Sequence, residues 1–395
     1  MDNISSLYIH IPFCISKCAY CDFFSRAEGC VPDRYIDALC NEISFRIQKN
    51  QVSQIETIYV GGGTPSLLSD NQINKLFSHI KSITKLSSSA EITVEVNPDD
   101  VTQNLLMTFS ECGVNRISCG IQSMNDLALK KACRRADSAA NKKALSLLGS
   151  MWKGQVSVDL ISGLPEDNEK SLLLSLEEVC NINPDHISLY SLTIEEETPF
   201  GKLLSAGTLN YDFDKADALW LTGRDFLESK GYEWYEVSNF CRGGKECHHN
   251  LAYWTHASYL GCGSGATGTV YANGGEGIRW TNTLNVEEYI ECWERETSVD
   301  DKNPGLLQSE EIIDSATSEF EFFMMGLRKL RGFYSSEYEQ VFGKQIPQKF
   351  TALFNTWQNK KLCETRAAHN TADGIQYSMT REGMLFLNRF LEELC

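Results

Sequence analysis

Between residue 6 and about residue 195, short apolar runs of strand length alternate with longer stretches whose apolar positions recur every three or four residues. Residues 6–11, 57–60, 92–96, 116–120, 156–161 and 186–193 read as strands. Helical stripes lie between them. Ser69 is a candidate N-cap ahead of Ile73, Leu76, Phe77, Ile80 and Ile83, and Leu105, Leu106, Phe109 and Cys112 form a second stripe closed by Gly113. Six strands alternating with helices predict an α/β chain wound as a parallel βα wheel. Periodicity does not separate a partial barrel from an open doubly wound sheet, and both stay open at this level.

The alternation stops near residue 195. Residues 195–295 are rich in Tyr, Trp and Gly and read as an extension packed against the wheel, not as an independent domain. Residues 297–310, with Asp300, Asp301, Lys302, Asn303 and Pro304, read as a linker. Beyond it Phe320, Phe322, Phe323, Met325, Leu327 and Leu330 supply an apolar face, and residues 378–383 suggest a strand entering a last helix through Leu385, Phe386, Phe390 and Leu391. There are no internal repeats or low-complexity tracts. A chain of 395 residues predicts one large domain with a smaller one.

A net charge of −17 argues against a nucleic-acid partner and against electrostatic docking on anionic lipid. No run approaches the roughly 18 apolar residues of a membrane span. The first strand begins within ten residues of the start, leaving no room for a cleavable signal, and the expected compartment is the cytoplasm, where thiols stay reduced.

That compartment matters for Cys14, Cys18 and Cys21, whose C-x3-C-x2-C spacing puts three thiolates on one short loop after the first strand. Three thiolates can hold three irons of a cubane cluster and leave the fourth iron open to a ligand. A structural zinc site wants four ligands, usually as two C-x2-C pairs. Only one such pair is present, and the next cysteine is Cys30. A disulfide framework fits poorly with an odd total of 15 cysteines. Gly61-Gly62-Gly63-Thr64-Pro65-Ser66 follows the second strand, where glycines let backbone approach a ligand closely. The Lys-Ser/Thr of a phosphate loop is missing there. Glu95 ends the third strand and could accept hydrogen bonds from two hydroxyls. Residues 263–268 match G-x-G-x-x-G but lack the position at the first strand of a βαβ unit.

The stretch from Tyr8-Ile9-His10-Ile11-Pro12-Phe13-Cys14 to Cys21-Asp22-Phe23 resembles the opening of the radical S-adenosylmethionine (SAM) enzymes, within them the branch of oxygen-independent coproporphyrinogen III oxidase. The likeness runs over nearly the whole chain. It implies a partial (β/α)6 barrel with ligands at the carboxyl ends of its strands, and a small winged-helix-like C-terminal domain. It implies a [4Fe-4S] cluster on Cys14, Cys18 and Cys21, with SAM chelating the fourth iron and open to one-electron cleavage into a 5′-deoxyadenosyl radical. The SAM-pocket positions carried over are Tyr8, Gly62, Gly63, Thr64, Glu95 (at the ribose), Gln122, Arg134 and Asp159. Cys133 and Ala136 depart from the glycine and histidine usual around Arg134.

His249-Asn250-Leu251-Ala252-Tyr253-Trp254 resembles the H-N-x-x-Y-W signature of the haem chaperones of this branch. It implies haem at His249, Asn250, Tyr253 and Trp254, with His248 and Cys247 as rival ligands. An imidazole can ligate haem iron, and Tyr and Trp offer flat apolar faces. From chemistry alone, a histidine beside Tyr and Trp is more often a core or hydrogen-bonded residue. The resemblance sets boundaries at 1–215 for the barrel with its cluster and SAM site, 216–296 for the extension with the haem motif, 297–310 for the linker and 311–395 for the C-terminal domain.

Three features favour a chaperone over the oxidase: Phe23 stands where the oxidase carries a fourth cysteine, the chain starts only seven residues ahead of Tyr8, and H-N-x-x-Y-W is present. The expected function is to bind haem and pass it to apo-haemoproteins such as respiratory haem enzymes, without coproporphyrinogen oxidase activity. A homodimer stays open, nucleic acid is not expected as a partner, and membrane contact is at most transient. The alternative is radical oxidative decarboxylation of porphyrinogen propionates.

Overall fold

The computed structural model describes residues 4–295, 307–367 and 373–395. β1 (Ser6–Ile11) enters first, and a two-residue parallel ladder of β2 (Phe13–Cys14) with β3 (Arg26–Ala27) closes the cysteine loop. There follow α1 (Asp33–Lys49), β4 (Gln54–Gly62), α2 (Asp70–Ile83), β5 (Lys85–Val96), α3 (Gln103–Glu111) and β6 (Arg116–Gln122). Next come α4 (Asp126–Lys131), α5 (Ser138–Met151), β7 (Gln155–Ser162), α6 (Glu169–Cys180) and β8 (His186–Ser191). All six predicted strands are present. β5 starts earlier than its apolar run because Ser87, Ser88 and Ser89, polar and outside the buried core, carry no apolar signal. α2 starts where expected: Ser69 and Gln72 form a reciprocal capping box, and Ile73, Leu76, Phe77 and Ile80 are buried.

The region after β8 corrects one expectation. It contains α7 (Pro199–Ser205), α8 (Phe213–Ser229), β9 (Glu233–Glu236), β10 (Asn239–Cys241), α9 (His248–Trp254), β11 (Tyr259–Cys262), β12 (Thr267–Tyr271), β13 (Gly277–Asn282), α10 (Val286–Trp293) and β14 (Leu307–Ile313). Instead of packing on a finished wheel, these strands continue its sheet at both edges, in the order β14-β13-β12-β11-β1-β4-β5-β6-β7-β8-β10-β9. β11 pairs parallel with β1, so a seventh parallel strand joins the six, and the outer strands are antiparallel. The sheet is open, ending at β14 and β9, as a partial barrel requires. Most of the expected linker, 297–306, lies outside the described residues. Its last four positions, 307–310, are not linker: they pair with β13 as the first part of β14.

The C-terminal part comprises α11 (Ser315–Gly326), β15 (Phe333–Tyr334), α12 (Ser335–Phe342), α13 (Gln348–Asn359), β16 (Cys363–Ala367), β17 (Ile375–Met379) and α14 (Leu387–Leu394). Its three strands form a small separate sheet, β15-β17-β16, as a winged-helix-like unit requires. Stacked and edge-on aromatics fill it, Phe323 on Phe350 at 4.1 Å among them, with Phe354, Trp357 and Phe390 buried. The turn after α11 closes the exposed edge of β9: Val237 N–H donates to the Arg328 carbonyl (3.1 Å), Leu330 N–H donates to the Tyr235 carbonyl (3.0 Å), and Glu236 bridges Lys329.

Candidate functional site

Parallel strands expose their carboxyl ends together, so the loops after β1, β4, β5, β6 and β8 converge. They enclose a cavity of about 510 Å³. Cys14, Cys18 and Cys21 line it, with Gly62, Gly63 and Thr64 from β4 and its following loop, Glu95 and Asn97 from the end of β5, Gln122, Arg134 and Asp159. The eighth expected SAM residue, Tyr8, is not on this wall. Its ring lies between Tyr59 and His249, centroids 6.3 and 6.5 Å away.

The Tyr8-x-His10 pair braces the loop. His10 Nε2 meets the Phe24 carbonyl at 2.9 Å, so it carries the proton, and Nδ1 then accepts from the Tyr8 hydroxyl (2.9 Å). Burial pushes His10 down to about 4, which keeps it neutral. Gly62 passes over this ring with φ +111, and a Cβ there would meet His10 at 2.5 Å. The glycine lets the next loop approach the thiols: the Thr64 hydroxyl donates to Cys14 Sγ at 3.4 Å.

Arg134 reaches in from the opposite wall. Its Nη1 donates to Cys18 Sγ (3.5 Å) and its Nη2 donates to Asn97 Oδ1 (2.8 Å) and the Gly120 carbonyl (2.6 Å), while its buried Nε has no partner among the described residues. Glu95 accepts from the Tyr59 hydroxyl (2.8 Å) and from Gly62 N–H (3.2 Å). Burial outweighs these bonds and, with Asp159 nearby, pushes its carboxyl up to about 7. Asp159, also raised by burial, accepts from Ser118 at 2.9 Å. Gln122 holds φ +66, an uncommon backbone for a non-glycine residue and one found at ligand sites.

These residues fit the groups implied for them. Among the described residues, no three of His, Cys, Asp and Glu are grouped to hold a single metal ion; a cubane instead gives each thiolate its own iron. A carboxyl, an amide side chain, close glycine backbone and an unpartnered guanidinium nitrogen provide polar contacts for an amino acid joined to a nucleoside.

The H-N-x-x-Y-W segment lies at the other end of the strands. The N–H groups of His248 and His249 donate to Glu91 (3.1 and 3.0 Å), well before the end of β5. His249 is buried beneath the cavity. Thr57, which donates to Ser6, accepts from His249 Nδ1 (2.9 Å), and Nε2 accepts from the Tyr253 hydroxyl (2.9 Å). Burial, helped by Arg116, pushes the ring down to about 3, and it stacks on Tyr59 at 5.3 Å. Cys247 is buried too and raised to about 12. His248 is exposed, and its ring has no partner among the described residues. Asn250, Tyr253 and Trp254 are half-buried, Trp254 under the Arg328 guanidinium at 5.3 Å.

Sequence reasoning missed Tyr59, Asn97 and Ser118. A signal existed for two of them: Tyr59 lies two residues before Gly61 on β4, and Asn97 two after Glu95, just past the end of β5, so each continues the alternation of its strand. The G-x-G-x-x-G match is a turn after β11, where a Cβ on Gly263 would meet the His10 carbonyl at 2.4 Å.

A model of the radical SAM superfamily matches residues 8–179. The chain is 34% identical over 390 residues to Heme chaperone HemW of Escherichia coli (strain K12), covering 98% of this chain and 97% of that protein. It is 32% identical over 398 residues to Heme chaperone HemW of Bacillus subtilis (strain 168), covering 99% and 100%. With the Danio rerio protein called radical S-adenosyl methionine domain-containing protein 1, mitochondrial, it shares 34% over 354 residues, covering 86% and 78%. Among solved structures, coproporphyrinogen III oxidase (HemN) of Escherichia coli superposes with a TM-score of 0.79 at 20% identity, over 99% of this chain and 90% of that one, a likeness of fold.

Proposed function

The chain belongs to the HemW family of the radical SAM superfamily, and on that premise we propose that it is a haem chaperone, binding haem and delivering it to haem-requiring apoproteins. Identity along its whole length with proteins named for that activity carries the reading. Phe23 supports it against the oxidase alternative: 70% exposed at the cavity mouth, it offers no fourth thiol.

In this reading Cys14, Cys18 and Cys21 hold a [4Fe-4S] cluster, whose chemistry when bound is one-electron transfer to SAM. Thr64 and Arg134 orient two of the thiols. Gly62 and Gly63 admit the amino-acid part of SAM, and Glu95 in its ionised form accepts from the ribose hydroxyls. Haem lies on the outer side of α9. His248 is the motif's accessible imidazole and ligates the iron; His249, both of whose nitrogens are engaged, holds α9 to the sheet. The expected compartment is the cytoplasm, and no helix among the described residues is long and apolar enough to cross a membrane.

Haem titration followed by gel filtration tests this. The protein should retain haem stoichiometrically and lose its ligated spectrum in His248→Ala. Conversion of coproporphyrinogen to protoporphyrinogen by the reconstituted protein would overturn the reading.

A further inference from the structure

A second cavity, of about 210 Å³, opens beside α9 on the side away from the cluster, where the turn after α11 covers β9. Its walls are largely apolar, with Trp234 and Leu251 among them, yet three ionisable side chains reach it: Lys329, Arg331 and Glu246. Lys329 is only 1% exposed. Its ammonium makes no hydrogen bond or ion pair among the described residues. The carboxylates it feels are Glu337, already accepting from Tyr334 N–H (2.7 Å), and Glu246, neither within ion-pair reach. A buried, unpaired cation is costly and normally carries a partner. Burial lowers it to about 8, which leaves it charged at neutral pH.

Lys329 and Arg331 share the cavity with Glu246, and because neither Glu246 nor Glu337 comes within ion-pair reach of Lys329, its ammonium is left to an anionic ligand. Leu251 on its wall is three residues after the exposed His248, one turn along the same helix face. The volume admits an acid arm and excludes a macrocycle. We propose that this cavity is a carboxylate subsite in which Lys329 receives a propionate of the haem whose iron His248 ligates. This rests on the haem reading above and gives it an orientation: ring along α9, one acid arm inserted toward β9.

The test compares haem with its dimethyl ester, whose arms carry no charge, in spectroscopic titrations of the full chain. Wild type should bind haem at least ten-fold more tightly than the diester. Lys329→Met, which fits the apolar walls, should lose at least ten-fold for haem, leave the diester unchanged and keep the ligation spectrum. His248→Ala should weaken both ligands alike. Equal binding of haem and diester by wild type overturns the subsite and leaves the haem reading standing, and that comparison decides even where the variant fails to fold. A wild type that binds neither removes the haem reading and the subsite together.

Discussion

Tyr59→Phe removes one hydroxyl from beneath the cavity and keeps the ring that stacks on His249. The lost bond is buried and charge-assisted, worth about 1.5–3 kcal/mol, and it acts on the ionised form of Glu95 alone. At about 1.4 kcal/mol per pH unit, a carboxyl already held up to about 7 should titrate roughly one to two pH units higher. Ribose hydroxyls donate to the carboxylate, so SAM affinity is full above the Glu95 pKa and falls as pH drops through it. At pH 8 the ionised fraction should fall from about nine-tenths to between a half and a tenth, weakening SAM about 2- to 10-fold. Near pH 10 variant and wild type should approach each other. Anaerobic calorimetric titration of SAM across this range reads the effect. An unchanged pH profile would refute control of Glu95 by Tyr59, and an equal loss at every pH would assign the effect to packing.

Cys18→Ser should drop reconstituted iron from about four per chain to near none while circular dichroism stays the same; unchanged iron would remove the cluster assignment. Phe354→Ala, at a fully buried site among aromatics, should cost about 3–5 kcal/mol and lower the urea midpoint of the C-terminal unit; a loss under 1 kcal/mol would mean that core is not close-packed. His256 is pushed down to about 4 by burial, so the stability it contributes is present above about pH 6.5 and lost as pH falls toward 4. His256→Gln should remove up to about 1.4 kcal/mol per pH unit from the acid slope of unfolding free energy measured in urea between pH 7 and 5, and an unaltered slope would contradict a neutral buried ring.

Strands and cluster loop were legible because they follow local rules: apolar runs, Ser69 ahead of a helical stripe, three thiols on one turn. Seven of the eight expected SAM positions line one cavity; Gly62, Gly63, Thr64, Glu95 and Gln122 do so because each ends a strand or lies next to a strand end, Asp159 sits within β7, and Arg134 reaches in from the loop between α4 and α5. What local pattern does not carry is strand order. Nothing in Tyr259–Cys262 says that it pairs with Leu7 and Ile9, so the local pattern predicts an extension packed on the sheet and not one that is part of it. The inward turn of His249 is hidden likewise: its partners Thr57 and Tyr59 sit about 190 residues away.

β1 leaves the ribosome some 250 residues ahead of β11, yet it lies in the middle of the sheet, between β4 and that later strand. Until β11 arrives, one long flank of β1 has no hydrogen-bonding neighbour, and the sulfur-bearing turn that follows it is held from one side only. Such distant closure is slow. The cysteine loop is therefore without that support until the sheet is complete, so loading of iron in the cell should follow synthesis of β11 and not precede it.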